Sequence, residues 1–423
     1  MNRILLVLGM TAIVFFAWFG VLRAQNTDNA GRFAGIDELM AELKRLAPAG
    51  APDGNIGNTG DDAARQSAAM NELIRELRDG GNIPFTEQER ALFLYRGNAS
   101  QVHWRGDFNR WGNGDDEAGA GTRIGGSDVW FFELDLPCDA RVDYKIVLNG
   151  TEWIIDPANS ALQWGGAGPN SELAMPCYEV PVETVERYDI ERGSLSAPYT
   201  YLSSELGYEV AFYIYFPYGY METSAYPVVY VTDGQDYADE NMGRMVTVLD
   251  NAIADSLIPP VMAVFIDPRD PYTGENRRQN EFVMNRRYAA FLAGELVPGI
   301  DDMFATSAYD GDRALMGTSM GGINTAYTVL TFPYTFGRAA IHSPSFWRSP
   351  ELMASYRESP RRPVSMYISV GTIYDGLEET VEFRDILAEN VWHMRYEEVN
   401  QGHSWGQWKG QILPALMFFW GNK

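Results

Sequence analysis

The chain reads as an α/β protein in three parts: a short helical lead-in, an all-β sandwich, and a C-terminal domain built on a mostly parallel sheet. Three observations predict this order. From Ser196 onward, strand-like apolar runs alternate with helical ones, the pattern of a parallel sheet covered on both faces by crossover helices. Between Ala91 and Pro181 the runs are short and separated by turn residues, as in a sandwich. Upstream of both, apolar residues recur at helical spacing, which predicts amphipathic helices.

Composition sets the outer limits. With 423 residues, 46% hydrophobic and 21% charged, the chain can fill two or three packed cores. An aromatic content of 13% excludes disorder as a description of the whole. The formal charge of −24, from 33 basic and 57 acidic residues, excludes a general nucleic-acid binder, which needs a basic face to displace counterions. It opposes attraction to an anionic membrane surface for the same reason. Two cysteines are too few for a disulfide scaffold or a four-cysteine zinc site.

The elements follow in chain order. Met1-Asn2-Arg3 precedes an uncharged stretch from Ile4 to Leu22, then Arg23-Ala24-Gln25. A basic start, an apolar run and a small residue at Ala24 predict a signal peptide over residues 1–24. A signal-anchor is the alternative, since the stretch is just long enough to span a bilayer. Either reading makes the protein exported, periplasmic or extracellular, or anchored in the membrane. Residues 25–90 form the lead-in: one helix on Ile36, Leu39, Met40, Leu43 and Leu46, a linker from Pro48 to Asp62, and a second helix on Met70, Leu73, Ile74 and Leu77 that ends at Gly80-Gly81. Residues 91–185 form the sandwich, with strands at 91–95, 101–104, 129–134, 142–148 and 153–155. Cys138 and Cys177 lie in this segment, and in an exported chain they can pair. Residues 195–423 form the α/β domain, with strands at 209–215, 228–231, 261–266, 314–316, 339–341, 365–370 and 394–399.

The strongest chemical signal is Gly317-Thr318-Ser319-Met320-Gly321, preceded by the strand Ala314 to Met316 and followed by a helix-like run from Ile323 to Leu330. A serine on a sharp strand-to-helix turn is lifted above the sheet, and glycines two positions either side leave room for the turn. The Met320 N–H then forms half of an oxyanion hole. A serine nucleophile needs a base, and the chain has four histidines. His103 precedes the catalytic sheet, His342 ends a strand, and His393 opens one. His403 lies in a glycine-flanked loop between the last strand and the last helix, where the base of such a site arrives, and it is the candidate. Asp375 lies between serine and histidine, in the loop after the strand Met366 to Val370, and would orient His403; Glu378 and Glu379 are its rivals. The second oxyanion amide is assigned to Gln235, after the strand Val228 to Val231, with Gly234 allowing close approach; an ordinary Asp-Gly turn is the alternative.

Asp233-Gly234-Gln235, Ile258-Pro259-Pro260, Arg278 to Glu281, Phe291 to Pro298, Gly317 to Gly322, Ser343 to Trp347 and Gly402-His403 together resemble the esterase D family. That family includes enterochelin esterases, feruloyl and acetyl-xylan esterases and mycolyltransferases, and it has the α/β-hydrolase fold. The resemblance covers roughly residues 195–420. It implies Ser319, Asp375 and His403 as the triad, Met320 and Gln235 as the oxyanion amides, and Arg278 with Glu281 as a structural ion pair beside the site. Residues 91–180 resemble the immunoglobulin-like module, related to glycogen-binding modules, that precedes many such esterases. Phe93 to Gly97, Trp104 to Trp111 and Asp143 to Gly150 carry that likeness.

These readings imply an exported serine carboxylic-ester hydrolase that needs neither metal nor organic cofactor. Its partner is a small-molecule or carbohydrate-linked ester, with no nucleic acid and no stable membrane association unless the N-terminal segment is retained. The acidic balance opposes anionic substrates, which favours neutral aryl or acyl esters, such as feruloyl or acetyl esters of carbohydrate, over a tri-catecholate siderophore. The alternatives are a siderophore (enterochelin-type) esterase or acyl transfer on the same fold and, from another class, a non-catalytic carbohydrate-binding protein. Trp347, Trp405 and Trp408 are candidates to line an aromatic pocket, or else pack the sheet edge. Trp104 and Trp111 are expected in packing rather than on sugar.

Overall fold

The computed structural model of the protein describes residues 32–48 and 60–421, with residues 60–63 as backbone alone. The expected signal segment and most of the expected linker lie outside the described residues. Among the described residues, no helix is long and apolar enough to cross a membrane. The described chain gathers into two compact units. One comprises the residues up to Ala140 with Tyr144–Leu162 and Asn170–Tyr178; the other comprises Arg141–Asp143, Gln163–Pro169 and everything from Glu179 onward.

The first unit contains helices α1 (Ile36–Leu46) and α2 (Gly60–Asp79); α2 begins inside the segment expected to be linker. Its strands are β1 (Phe85–Glu87), β2 (Arg90–Arg96), β3 (Val102–Gly106), β4 (Thr122–Arg123), β5 (Val129–Asp135), β6 (Arg141–Leu148), β7 (Glu152–Ile154), β8 (Leu162–Gly165) and β9 (Gly168–Ala174), with the first residues of β6 and β9 and the last of β8 belonging to the second unit. They form two sheets, ordered β1-β2-β5-β4 and β3-β6-β9-β8 with β7 on β6. Strand β2 is buried on both faces. Leu92 and Leu94 pack with Ile36, Leu39, Leu43, Met70 and Leu73 of the helices, while Phe93 faces the sandwich interior and meets Tyr144 edge-on at 5.0 Å. The helical lead-in is therefore a cover for one sheet: each large side chain it buries contributes about 1.5–3 kcal/mol that an exposed sheet face would lose. Trp104 is fully buried and stacks on Phe132 at 6.1 Å. Cys138 and Cys177 are joined by a disulfide with Cα atoms 5.1 Å apart.

The second unit is built on β10 (Ser194–Leu195), β11 (Tyr199–Leu202), β12 (Glu209–Phe216), β13 (Val228–Thr232), β14 (Met262–Asp267), β15 (Arg313–Thr318), β16 (Arg338–His342), β17 (Ser365–Gly371) and β18 (His393–Val399). Their order is β10-β12-β14-β13-β15-β16-β17-β18, with β11 also on β12. From β14 to β18 the pairs are parallel, and β12 is antiparallel to β14. Side chains alternate between two buried faces, the mark of a doubly covered sheet. Val228, Tyr230, Val264, Leu315, Ile341 and Ile368 enter one apolar layer. Val229, Val231, Phe265, Met316, Ala340 and Tyr367 enter the other.

The helices between and after these strands are α3 (Gly234–Ala238), α4 (Met245–Ala254), α5 (Arg278–Phe282), α6 (Arg286–Phe291), α7 (Val297–Met303), α8 (Met320–Thr331), α9 (Pro350–Glu358), α10 (Leu377–Glu389), α11 (Trp405–Trp408) and α12 (Ile412–Trp420). A π turn at Leu292–Leu296 joins α6 to α7. Because β13, β15, β16, β17 and β18 run parallel in adjacent register, the loops at their C-terminal ends come together, as open α/β sheets require of a site.

Candidate active site

Strand β15 delivers Ser319 at a left-handed turn, with φ 59° and ψ −117°. A non-glycine residue held there is strained, and the surrounding backbone enforces it. A Cβ at Gly317 would lie 2.3 Å from the Gly321 carbonyl oxygen, and one at Gly321 would lie 2.7 Å from Thr232 Oγ1. Both glycines are thus required by close approach.

The side chains expected from three distant segments converge here. His403 Nε2 lies 2.9 Å from Ser319 Oγ, and His403 Nδ1 lies 2.5 Å from Asp375 Oδ1. A carboxylate only accepts, so Nδ1 carries the proton and Nε2 is free to accept from the serine hydroxyl. The imidazole stands perpendicular to the Trp408 ring at 4.9 Å.

Asp375 is held by more than histidine. Tyr374 has φ 51°, and this turn carries the carboxylate back so that Oδ2 accepts from the Gly371 N–H at 2.5 Å. Ser343 Oγ lies 2.6 Å from the same oxygen, and Gln407 Nε2 donates to it at 3.2 Å. Ser343 Oγ also accepts from Trp408 Nε1 at 2.9 Å. The carboxylate is 3% exposed, so these donors replace the water it lost on burial. Glu378 and Glu379, the rivals, lie in the first turn of α10, and it is Asp375 that bonds His403.

Met320 is the first residue of α8 and Gln235 the second of α3, where N–H groups have no intrahelical acceptor. Strands β13 and β15 are direct neighbours, with Val231 opposite Met316, so the two turns that follow them are adjacent. A Cβ at Gly234 would lie 2.2 Å from the Phe265 carbonyl carbon, which explains the glycine. The expected Arg278–Glu281 pair is not formed. Arg278 Nε instead meets both oxygens of Asp233 at 2.8 Å. Glu281 accepts from the Tyr208 hydroxyl at 2.7 Å, and burial pushes its carboxyl up to about 7. Burial also raises the Asp233 carboxyl, with Arg278 opposing the shift.

The other histidines serve packing. His342 is fully buried, lies 2.8 Å from Ser369 Oγ through Nδ1, and is pushed down to about 3 by burial. His393 stacks on Phe418, and His103 is buried in the first unit. Two tryptophans depart from the pocket reading. Trp405 and Trp408 are 5% and 7% exposed, pack edge-on at 5.2 Å and belong to the core, whereas Trp347 is 66% exposed. Sequence reasoning noted Ser343 and Ser345 only within the family-like segment Ser343 to Trp347, without a role, and missed Gln407. It also missed Arg141, a fully buried side chain that donates to Ser404 Oγ at 2.9 Å beside His403 and pairs with Asp143 at 2.5 Å. Residues 141–143 group with the hydrolase unit. A Cβ at Gly406 would lie 1.9 Å from the Arg141 guanidinium carbon. Among the described residues, no group of three or more His, Cys, Asp or Glu side chains is placed to hold a metal ion.

Comparison with known proteins agrees with this architecture. The fold is similar to ferric enterobactin esterase from Salmonella typhimurium, with a TM-score of 0.66 at 20% identity over 78% of this chain and 93% of that one. It is also similar to the enterobactin esterase of Shigella flexneri, with a TM-score of 0.65 at 19% identity over 78% and 92%. In sequence, the chain is 25% identical over 226 residues to the uncharacterized protein YjcH of Bacillus subtilis, covering 51% of this chain and 93% of that one. It is 30% identical over 174 residues to an endo-1,4-beta-xylanase/feruloyl esterase of Xylanibacter ruminicola, covering 38% of this chain and 23% of that one. The profile of the Putative esterase family matches residues 203–419. The chain belongs to that family and is a carboxylic ester hydrolase of the α/β-hydrolase type.

Proposed function

We propose that the protein is an exported serine esterase that uses Ser319, His403 and Asp375 and passes through an acyl-enzyme. Its substrates are neutral aryl or acyl esters, such as feruloyl or acetyl esters of carbohydrate. One observation carries the catalytic reading: the continuous contact from Ser319 Oγ to His403 Nε2 at 2.9 Å and from His403 Nδ1 to Asp375 Oδ1 at 2.5 Å. Ser319 attacks the ester carbonyl as His403 takes its proton, and Asp375 stabilises the imidazolium. The Met320 and Gln235 amides receive the oxyanion. The alcohol leaves with the proton from His403, and a water activated by the same ring releases the acid.

Three observations support the substrate class. The formal charge of −24 opposes a polyanion, and two arginines near the site are already committed: Arg278 to Asp233 and Arg277 to Asp270. Trp347, two residues beyond Ser345, and Tyr374, next to Asp375, both present exposed rings suited to an aryl group. The relative that is 30% identical over 174 residues is named an endo-1,4-beta-xylanase/feruloyl esterase. Export is supported by the Cys138–Cys177 disulfide, which persists in an oxidising compartment.

A panel of 4-nitrophenyl acetate, methyl ferulate, acetylated xylo-oligosaccharide and a tri-catecholate lactone tests the reading. The neutral esters are expected to be cleaved, with product analysis giving free acid even beside a sugar acceptor, and Ser319→Ala is expected to be inactive on all of them. Preference for the catecholate lactone would overturn the substrate class, and activity in Ser319→Ala would overturn the mechanism.

A further inference from the structure

We propose that Ser345 is a further catalytic residue, whose hydroxyl stabilises the Ser319 oxygen as it departs in deacylation; this rests on the triad reading above. Ser345 Oγ lies 3.0 Å from Ser319 Oγ, the reacting atom, and the residue is 7% exposed. Its backbone is fixed there, because the Ser345 N–H donates to the Ser319 carbonyl at 3.1 Å and the Arg348 N–H donates to the Ser345 carbonyl at 3.0 Å. The segment begins with Ser343 at φ 43°. In Ser343-Pro344-Ser345, the first hydroxyl faces Asp375 and the last faces Ser319.

Proton counting fixes the direction of the bond. Ser319 Oγ carries one proton, directed along its 2.9 Å contact to His403 Nε2. Across the 3.0 Å contact, Ser345 is therefore the donor. In the free enzyme the acceptor is an alcohol oxygen, and in the acylation transition state it is an oxygen losing its proton. Both accept well, so the bond stabilises both and changes acylation little. In the acyl-enzyme the same atom is the alkyl oxygen of an ester, a poor acceptor. During deacylation, water attacks the acyl carbon and gives its proton to His403. The carbon–Oγ bond then breaks, Oγ keeps the electron pair and takes the proton back from His403, while Ser345 keeps its own. Measured from the acyl-enzyme, where Oγ accepts poorly, its acceptor strength rises most in that step, so the Ser345 donor is worth most there.

The test is the decay of acetyl-enzyme formed with 4-nitrophenyl acetate, followed by stopped-flow burst kinetics and intact mass. In Ser345→Ala, deacylation is expected to slow about tenfold, with acylation changed less than about twofold and Ser345→Thr restoring the rate. An equal loss in both steps, or no loss in either, would overturn the role of Ser345. A wild-type enzyme that forms no acetyl adduct at Ser319 would instead overturn the triad reading.

Discussion

The Arg278 guanidinium joins Asp233 through Nε at 2.8 Å to each carboxylate oxygen and lies 3.4 Å from the Thr318 carbonyl through Nη2. Asp233 precedes Gly234-Gln235, and Thr318 precedes Ser319-Met320. One side chain thus ties together the two turns that present the proposed oxyanion amides. Arg278→Met leaves a buried carboxylate unpaired, a change that costs about 3–5 kcal/mol. Chemical denaturation is expected to show that loss, with kcat on a nitrophenyl ester falling in parallel. An unchanged kcat would mean the clamp does not reach the site.

Ser343 bonds Asp375 and Trp408, both of which contact His403, so its effect on the ring passes through those two partners. Removing its hydroxyl takes one donor from Asp375 Oδ2 and strands Trp408 Nε1. Ser343→Ala is expected to lower kcat about tenfold with KM unchanged, as for an interaction made mainly in the transition state. A rise in KM at constant kcat would place Ser343 in substrate binding instead.

Glu281 gives a pH signature. Its carboxyl is pushed up to about 7 by burial, above the ordinary value of 4.5, so the folded protein binds the extra proton between those limits. Stability linked to this group is present below about pH 4.5 and is lost as pH rises through about 7. Glu281→Gln keeps the acceptor for Tyr208 and removes the titration. Relative to wild type, the variant is expected to gain up to about 3 kcal/mol between pH 5 and pH 8. A stability difference that is flat with pH would contradict the assignment.

The Cys138–Cys177 bridge closes a loop between residues 39 apart in sequence. Loop-closure entropy makes such a link worth up to about 4 kcal/mol. Reduction is expected to lower the melting temperature of the first unit while esterase activity at low temperature persists. Equal stability with and without reductant would show that the bridge contributes nothing.

The parts that were legible in the sequence have a physical reason for being so. The Gly-x-Ser-x-Gly turn announces itself because its glycines answer to close contacts, at the Gly321 carbonyl and at Thr232 Oγ1. With four histidines in the chain, chain order and a glycine-flanked loop after the last strand singled out His403. Ser343 and Ser345 were visible only as part of a family-like segment, and their roles, like Gln407 itself, were not, because neutral hydroxyls and amides carry no spacing pattern. Their partners are set by how β15, β16 and β17 lie side by side. The Arg278–Glu281 pair was implied by the family resemblance alone; in the fold Arg278 meets Asp233 after β13, and Glu281 meets Tyr208. The β8–β9 hairpin was missed because Leu162-Gln163-Trp164-Gly165 and Gly168 to Ala174 lack the alternation of apolar residues that marks a strand.

The central claim is that Ser319 is a nucleophile activated by His403. Labelling with a fluorophosphonate, followed by intact mass and peptide mapping, tests it most directly. A single adduct is expected on Ser319, abolished in Ser319→Ala and slowed at least about a hundredfold in His403→Ala. An adduct on another residue, or labelling of Ser319 that is indifferent to His403, would contradict it.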